Sequence, residues 1–159
     1  MLSKLSYLGR GLGYLKSLRA GRSPGQLIIQ MSDACNATCP QCNMRKTNDF
    51  KRNRLAYDEI RKLVDGAAAG GVQSLSFTGG EVFIYEDELY EHIIYAVNAG
   101  IPLVRTGTNG FMFMNSERAS FADDMKKMAA RIRATGLRNL WISIDSSEDS
   151  LHEEMRGLP

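Results

Sequence analysis

The apolar positions of the chain change their period at regular intervals. Residues 26–31, QLIIQM, form a short apolar run of strand length. From Tyr57 to Ala69 the apolar residues Ile60, Leu63, Val64 and Ala67 fall instead on one face of a helix, closed by Gly70 and Gly71. The alternation continues with SLSF (74–77) as a second strand and residues 86–99 as a second helix. That helix carries Leu89, Ile93, Ala96 and Val97 on one side and ends at Gly100. IPLVRT (101–106) is a third strand, followed by a third helix that starts at about Ser116 and aligns Phe121, Met125, Met128 and Ile132. NLWISID (139–145) is the fourth strand. Strands alternating with helices predict an α/β fold with a parallel sheet and right-handed crossovers. No tandem repeat beyond this β/α rhythm and no low-complexity segment interrupts it.

Ahead of the first strand the pattern is different. Leucines stand at 2, 5, 8, 12, 15 and 18 among Lys4, Arg10, Lys16, Arg19 and Arg22, with no acid before Asp33. This is a basic amphipathic helix pattern. Gly9, Gly11 and Gly13 each weaken it by about 1 kcal/mol relative to Ala, so it needs a surface to fold against. Packing over one end of its own domain is the simpler use; contact of residues 1–20 with a membrane surface or a partner is the other. RSPG then reads as a linker. The chain divides into residues 1–25, helix and linker, and residues 26–159, the folded domain.

Composition narrows the function classes. A chain of 159 residues with 43% apolar content supports one core. A formal charge of +2 gives no argument for a nucleic-acid partner or an acidic substrate. No apolar run reaches the roughly 20 residues that span a bilayer, and no secretory signal is present, so a cytoplasmic location is expected. Thiols there stay reduced. All three cysteines, Cys35, Cys39 and Cys42, lie in DACNATCPQCNM (33–44), an odd count in one loop that makes a poor disulfide framework. Metal or redox chemistry is favoured.

The residues that do not fit a core all follow strands. The cysteine loop comes after the first, TGGE (78–81) after the second and TGTNG (106–110) after the third, while SID (143–145) ends the fourth. In a parallel β/α sheet the carboxyl ends of the strands share one face, where ligand sites form. Structural zinc wants four ligands, and a second Cys or His pair is missing. Of the two histidines, His92 falls within the second helix as a surface or boundary residue and His152 lies past the fourth strand. A cluster with four irons usually takes four thiolates, so three leave one iron open to a ligand that is not protein.

Cys35-x3-Cys39-x2-Cys42 after strand one, Gly79-Gly80-Glu81 after strand two, Thr108-Asn109-Gly110 after strand three and Ser143-x-Asp145 on strand four together resemble the radical S-adenosylmethionine (SAM) superfamily, over roughly residues 27–157. The resemblance implies a partial (β/α) TIM-type barrel, of which about four β/α units are present here. It implies a [4Fe–4S] cluster on Cys35, Cys39 and Cys42 whose fourth iron is chelated by the amine and carboxylate of SAM. Reductive cleavage of SAM would give a 5′-deoxyadenosyl radical that abstracts hydrogen from substrate. Gly79, Gly80 and Glu81 match the segment lining the methionine end of SAM, where glycines let backbone come close and carbonyls or Glu81 accept from an ammonium. Ser143 and Asp145 match positions that reach the ribose or carboxylate, and strand alternation puts both on one face with Ile142 and Ile144 on the other. LHEEMRG (151–157) resembles the segment after strand four in peptide-modifying members. There Arg156 either pairs with the SAM carboxylate or is a solvated helix arginine, and Asn109 either binds near the cofactor or holds a turn.

The same resemblance implies an electron donor of the flavodoxin or ferredoxin type, and a protein or peptide substrate fits it. Two positions depart from the family pattern: Gln41 stands where many members carry an aromatic, and Val82 where proline is frequent. The basic run Arg45, Lys46, Lys51, Arg52 and Arg54 is read as a solvated face in preference to an anion-attracting one. The family fold has further strands beyond the fourth, so the expectation is a fragment or truncated product, in preference to a barrel completed by a partner or by the N-terminal helix. A non-catalytic or truncated iron–sulfur or metal-binding protein is the alternative class.

Overall fold

The computed structural model describes residues 12, 15, 16, 18–21, 25–46 and 53–158. Four parallel strands, β1 (Gln26–Ser32), β2 (Ser74–Gly79), β3 (Leu103–Thr108) and β4 (Asn139–Ile142), lie in the order β1-β2-β3-β4, each beside its neighbour in sequence. Each is followed by a helix: α1 (Tyr57–Ala69), α2 (Glu86–Asn98), α3 (Phe121–Ala134) and α4 (Asp149–Arg156). The expected parallel α/β sheet with about four β/α units is the observed architecture.

Pairing fixes which side chains share a face. Ile28, Ser76, Arg105 and Asn139 stand in register across the sheet, and Gly107 pairs with Trp141 one row further on. The alternate positions, among them Ile29, Leu75, Phe77 and Val104, are buried beneath the helices. A register shift between Gln30 and Ser32 ends β1 and turns the chain into the cysteine loop.

Two of the helices, over residues 57–69 and 121–134, bury less of their apolar faces than the patterns predict. α1 opens with the Ala56 N–H donating to the Glu59 carboxylate at 2.8 Å, with Asp58 and Glu59 in its first turn, where the helix dipole favours negative charge. It buries Ile60, Val64 and Ala67, but Leu63, expected on the same face, is 42% exposed. The i, i+4, i+7 positions already span the contact, and Leu63 falls on its flank.

α2 buries Leu89, Tyr90, His92, Ile93 and Ala96. His92 is therefore a core residue and not a surface or boundary one: it is fully buried, 4.6 Å from the ring of Tyr57 and 6.2 Å from that of Phe77 between centroids. Its Nε2 lies 3.3 Å from Glu88 Oε1. α3 begins at Phe121 behind Ser120, four residues later than Ser116, and none of its residues is buried. Its apolar row is only half-covered, so it rests lightly on the sheet.

The fourth strand stops at Ile142, short of the predicted Asp145. The Ser143 N–H still donates to the Thr108 carbonyl at 2.9 Å, but the ladder goes no further. Of the predicted N-terminal helix, Leu12, Leu15, Lys16, Leu18 and Arg19 are helical and all exposed; the rest lies outside the described residues. Of the basic run, residues 51 and 52 do as well. Among the described residues no helix is long and apolar enough to cross a membrane.

Candidate active site at the carboxyl ends of the strands

The cysteine loop is tied down from three directions. Asp33 anchors its start, the Asn53 N–H donating to Asp33 Oδ2 at 3.1 Å and the Asp33 N–H to the Asn53 carbonyl at 3.0 Å. Its middle is held by the far end of the domain: the Thr38 N–H donates to the Arg156 carbonyl at 3.0 Å and the Cys39 thiol to the same carbonyl at 3.4 Å. A tight turn, with the Cys42 N–H on the Cys39 carbonyl at 3.1 Å, sets the spacing of the last two thiols. All three cysteines are free.

The Gly79-Gly80-Glu81 segment packs its main chain against that loop. The Gly80 N–H donates to the Ser32 carbonyl and the Glu81 N–H to the Ala34 carbonyl, both at 2.8 Å. A Cβ on Gly80 would overlap the Ala34 carbonyl and reach 2.9 Å from Cys35 Cβ, so this approach requires glycine. The Glu81 carboxylate is 2% exposed and already committed. Oε1 accepts from the Phe83 N–H at 3.0 Å and Oε2 from the Asn109 N–H at 2.6 Å, which joins the ends of β2 and β3. Burial raises its pKa, while the Asn109 and Phe83 amides and the Thr108 hydroxyl pull it back.

Asn109 is used at both ends. Its Oδ1 accepts from the Phe111 N–H at 3.0 Å, closing a turn, and its Nδ2 donates to Asn36 Oδ1 at 2.9 Å in the cysteine loop. Ser143 faces the same space as the cysteines. Asp145, beyond the end of β4, turns away from it to Arg156, whose Nε lies 2.6 Å from Asp145 Oδ2. That Nε–H is not aligned for a hydrogen bond, so the contact is an ion pair. The Asp145 N–H meets His152 Nδ1 at 3.2 Å, which places His152 in the scaffold of this turn.

These pieces surround one cavity of about 600 Å³. Cys35, Cys39 and Cys42, Gly79, Gly80 and Glu81, Asn109, Ser143 and Arg156 all line it, and Asp145 alone of the expected site residues does not. Trp141 lines it too. The sequence contained that signal, since Trp141 is two residues from Ser143 on a strand and so shares its face. Asn36, Thr38 and Asp33 emerged only from the folded loop.

The three thiols do not form a ready single-ion site. Among the described residues no group of three His, Cys, Asp or Glu side chains is placed to hold one metal ion. Thiolates that each take a different iron need not converge on one point. Cys35 is exposed on the cavity side, and partial desolvation pushes its thiol up. The Ala37 N–H opposes this, and Glu81 and the other two thiols add to it. A bound metal would reverse that preference.

Residues 29–159 match the family model of the Radical SAM superfamily. The AdoMet-dependent heme synthase of Methanosarcina barkeri is 26% identical over 137 residues, 86% of this chain and 36% of that protein. The probable GTP 3',8-cyclase of Sulfolobus acidocaldarius is 29% identical over 138 residues, 87% of this chain and 40% of that protein. The chain thus spans well under half the length of these curated relatives. Among solved structures, methylornithine synthase (PylB) superposes with a TM-score of 0.60 at 17% identity, covering 98% of this chain and 44% of that one. Streptococcus suis SuiB bound to S-adenosylmethionine gives 0.58 at 19% identity, covering 99% and 35%.

Proposed function

The chain belongs to the radical SAM superfamily, and on that footing we propose that Cys35, Cys39 and Cys42 hold a [4Fe–4S] cluster beside a SAM site in the same cavity. The supporting observation is that three free thiols and the ends of β2, β3 and β4 line one space of about 600 Å³. That volume is of the size that encloses small-molecule ligands. Bound there, cluster and SAM supply reductive cleavage of SAM to methionine and a 5′-deoxyadenosyl radical that takes hydrogen from substrate.

The residues of this chain then divide by what their side chains have free. Gly79 and Gly80 offer main chain at close range, and Ser143 an unblocked strand-end position on the cavity wall. Glu81 and Asn109 act as positioning residues, because their polar atoms are taken by Phe83, Phe111, Asn36 and each other. Asp145 orients Arg156, which presents its remaining donors to the cavity. A flavodoxin- or ferredoxin-type protein delivers the electron, and the substrate is a protein, peptide or metabolite taken by the whole protein.

Anaerobic reconstitution with iron and sulfide, followed by dithionite and SAM, tests the reading. Four irons per chain and formation of 5′-deoxyadenosine are expected, and Cys35→Ser, Cys39→Ser or Cys42→Ser should each abolish stable loading. A loaded cluster without 5′-deoxyadenosine would leave a non-catalytic iron–sulfur protein. Retention of zinc and no iron would remove both.

A further inference from the structure

We infer that Arg105 is an anion subsite on the sheet face opposite the helices, next to the cofactor cavity, and that it takes a carboxylate or phosphate of the substrate. The inference rests on the SAM reading of the cavity and adds a substrate class to it.

Strand register carries the first part of the argument. Arg105 stands in the row Ile28, Ser76, Arg105, Asn139. Gly107 and Trp141, in the next row, line the cavity, as do Thr78 and Ser143 on the same face. Two residues along a strand cover about 7 Å, so a group held at Arg105 is within one small molecule's length of the cavity.

Charge carries the second. Arg54 pairs with Glu88, Arg118 with Asp124, Arg131 with Glu86 and Asp87, and Arg156 with Asp145, while Arg61, Arg133 and Arg138 show no ion pair among the described residues but do not share the row of Arg105. Among the described residues Arg105 has no ion pair. It is half-buried, its Nε is buried without a hydrogen-bond partner, and its guanidinium lies 4.9 Å from the centre of the Trp141 ring. Its row and the next, Ile28, Ser76, Asn139, Gln30, Thr78, Gly107 and Trp141, contain no carboxylate, and the acids lining the adjoining cavity, Asp33 and Glu81, are engaged by Gln30 and Asn53 and by Phe83 and Asn109. A half-buried cation with no anion in its row is poorly compensated, and the planar fork of an arginine matches carboxylate or phosphate.

Gly107 fixes where the Trp141 ring lies. A Cβ there would overlap the indole of Trp141, so the ring lies directly on the β3 backbone instead of being pushed across the face. Trp141 therefore touches the cavity and Arg105 at once, and it is the single tryptophan of this chain.

That makes Trp141 fluorescence the readout. The chain without cluster is titrated with inorganic phosphate and, separately, with malonate, at ionic strength held constant with sodium chloride. A saturable change is expected with one or both anions, and the anion that gives it identifies the group. Arg105→Gln should weaken the response at least about tenfold, with Arg105→Lys intermediate because it keeps charge but loses the fork. In Arg156→Gln the response should persist. No saturable response, an equal response in Arg105→Gln, or a loss in Arg156→Gln instead would overturn the inference. Equilibrium dialysis of SAM against the reconstituted protein supplies the remaining arm: a parallel loss of SAM binding in Arg105→Gln would assign Arg105 to the cofactor and overturn it as well. Failure of the wild type to load cluster or bind SAM would count against the SAM reading alone, since the anion titration needs neither.

Discussion

The thiol of Cys39 donates to the main-chain carbonyl of Arg156 at 3.4 Å, across 117 positions of sequence. The Thr38 N–H shares that carbonyl, and the Thr38 hydroxyl donates to the Gly157 carbonyl at 3.2 Å. The carboxyl end of α4, and not a strand, therefore fixes the central cysteine of the loop.

Gly157 is the weak point of that contact. It closes α4 in the left-handed region at φ 59°, and a Cβ would overlap Thr38 Oγ1. Gly157→Ala should cost about 1–2 kcal/mol of stability and lower the iron retained after reconstitution, read by denaturant unfolding and iron content. Full retention of iron would show that the α4 end is dispensable for the loop.

Gly80→Ala tests the other wall. The added methyl meets the Ala34 carbonyl, a backbone atom that cannot rotate away, and presses on Cys35. A loss of roughly 1–3 kcal/mol is expected, with cluster loading falling more than secondary structure, measured by circular dichroism beside iron content.

Glu81→Gln removes one of two acceptor oxygens and places an amide N–H against a main-chain N–H of Phe83 or Asn109. The expected loss is about 1–3 kcal/mol of stability. SAM affinity should fall indirectly, as the ends of β2 and β3 separate. Unchanged stability with lost SAM binding would instead make Glu81 a direct ligand.

His92 predicts a pH dependence. Burial lowers its pKa below the ordinary 6.5, while the hydrogen bond and charge of Glu88 work the other way. Below about pH 6.5 the unfolded chain takes up a proton on this ring that the folded chain does not, so stability falls as pH drops from neutral toward the folded value. Glu81, whose carboxyl is raised by burial, acts in the opposite sense, which the His92→Gln comparison removes. The slope of melting temperature against pH should flatten in His92→Gln.

The four strands, the helices between them and the face on which the site would form were legible because they depend on period and punctuation, which are local properties. β1 and α1 were placed within a residue of their observed bounds, and three cysteines, two glycines and a strand-end serine were drawn to one side of the sheet before any contact was known. What an element touches is not local. His92 lies in the core because Tyr57 of α1 covers it, and Leu63 is exposed because nothing reaches its flank.

The same distinction runs through the site. Which residue types gather there follows from their order along the chain, since strand ends of a parallel sheet must share a face. Which of them keep a free polar group depends on the folded contacts. Glu81 and Asn109 spend their polar atoms on main chain and neighbours, Asp145 neutralises Arg156, and among the described residues Arg105 is left without an anion beside Trp141. The reason is physical: a polar group's availability is set by the partners that folding brings within about 3 Å, and those partners lie dozens of residues away in the chain.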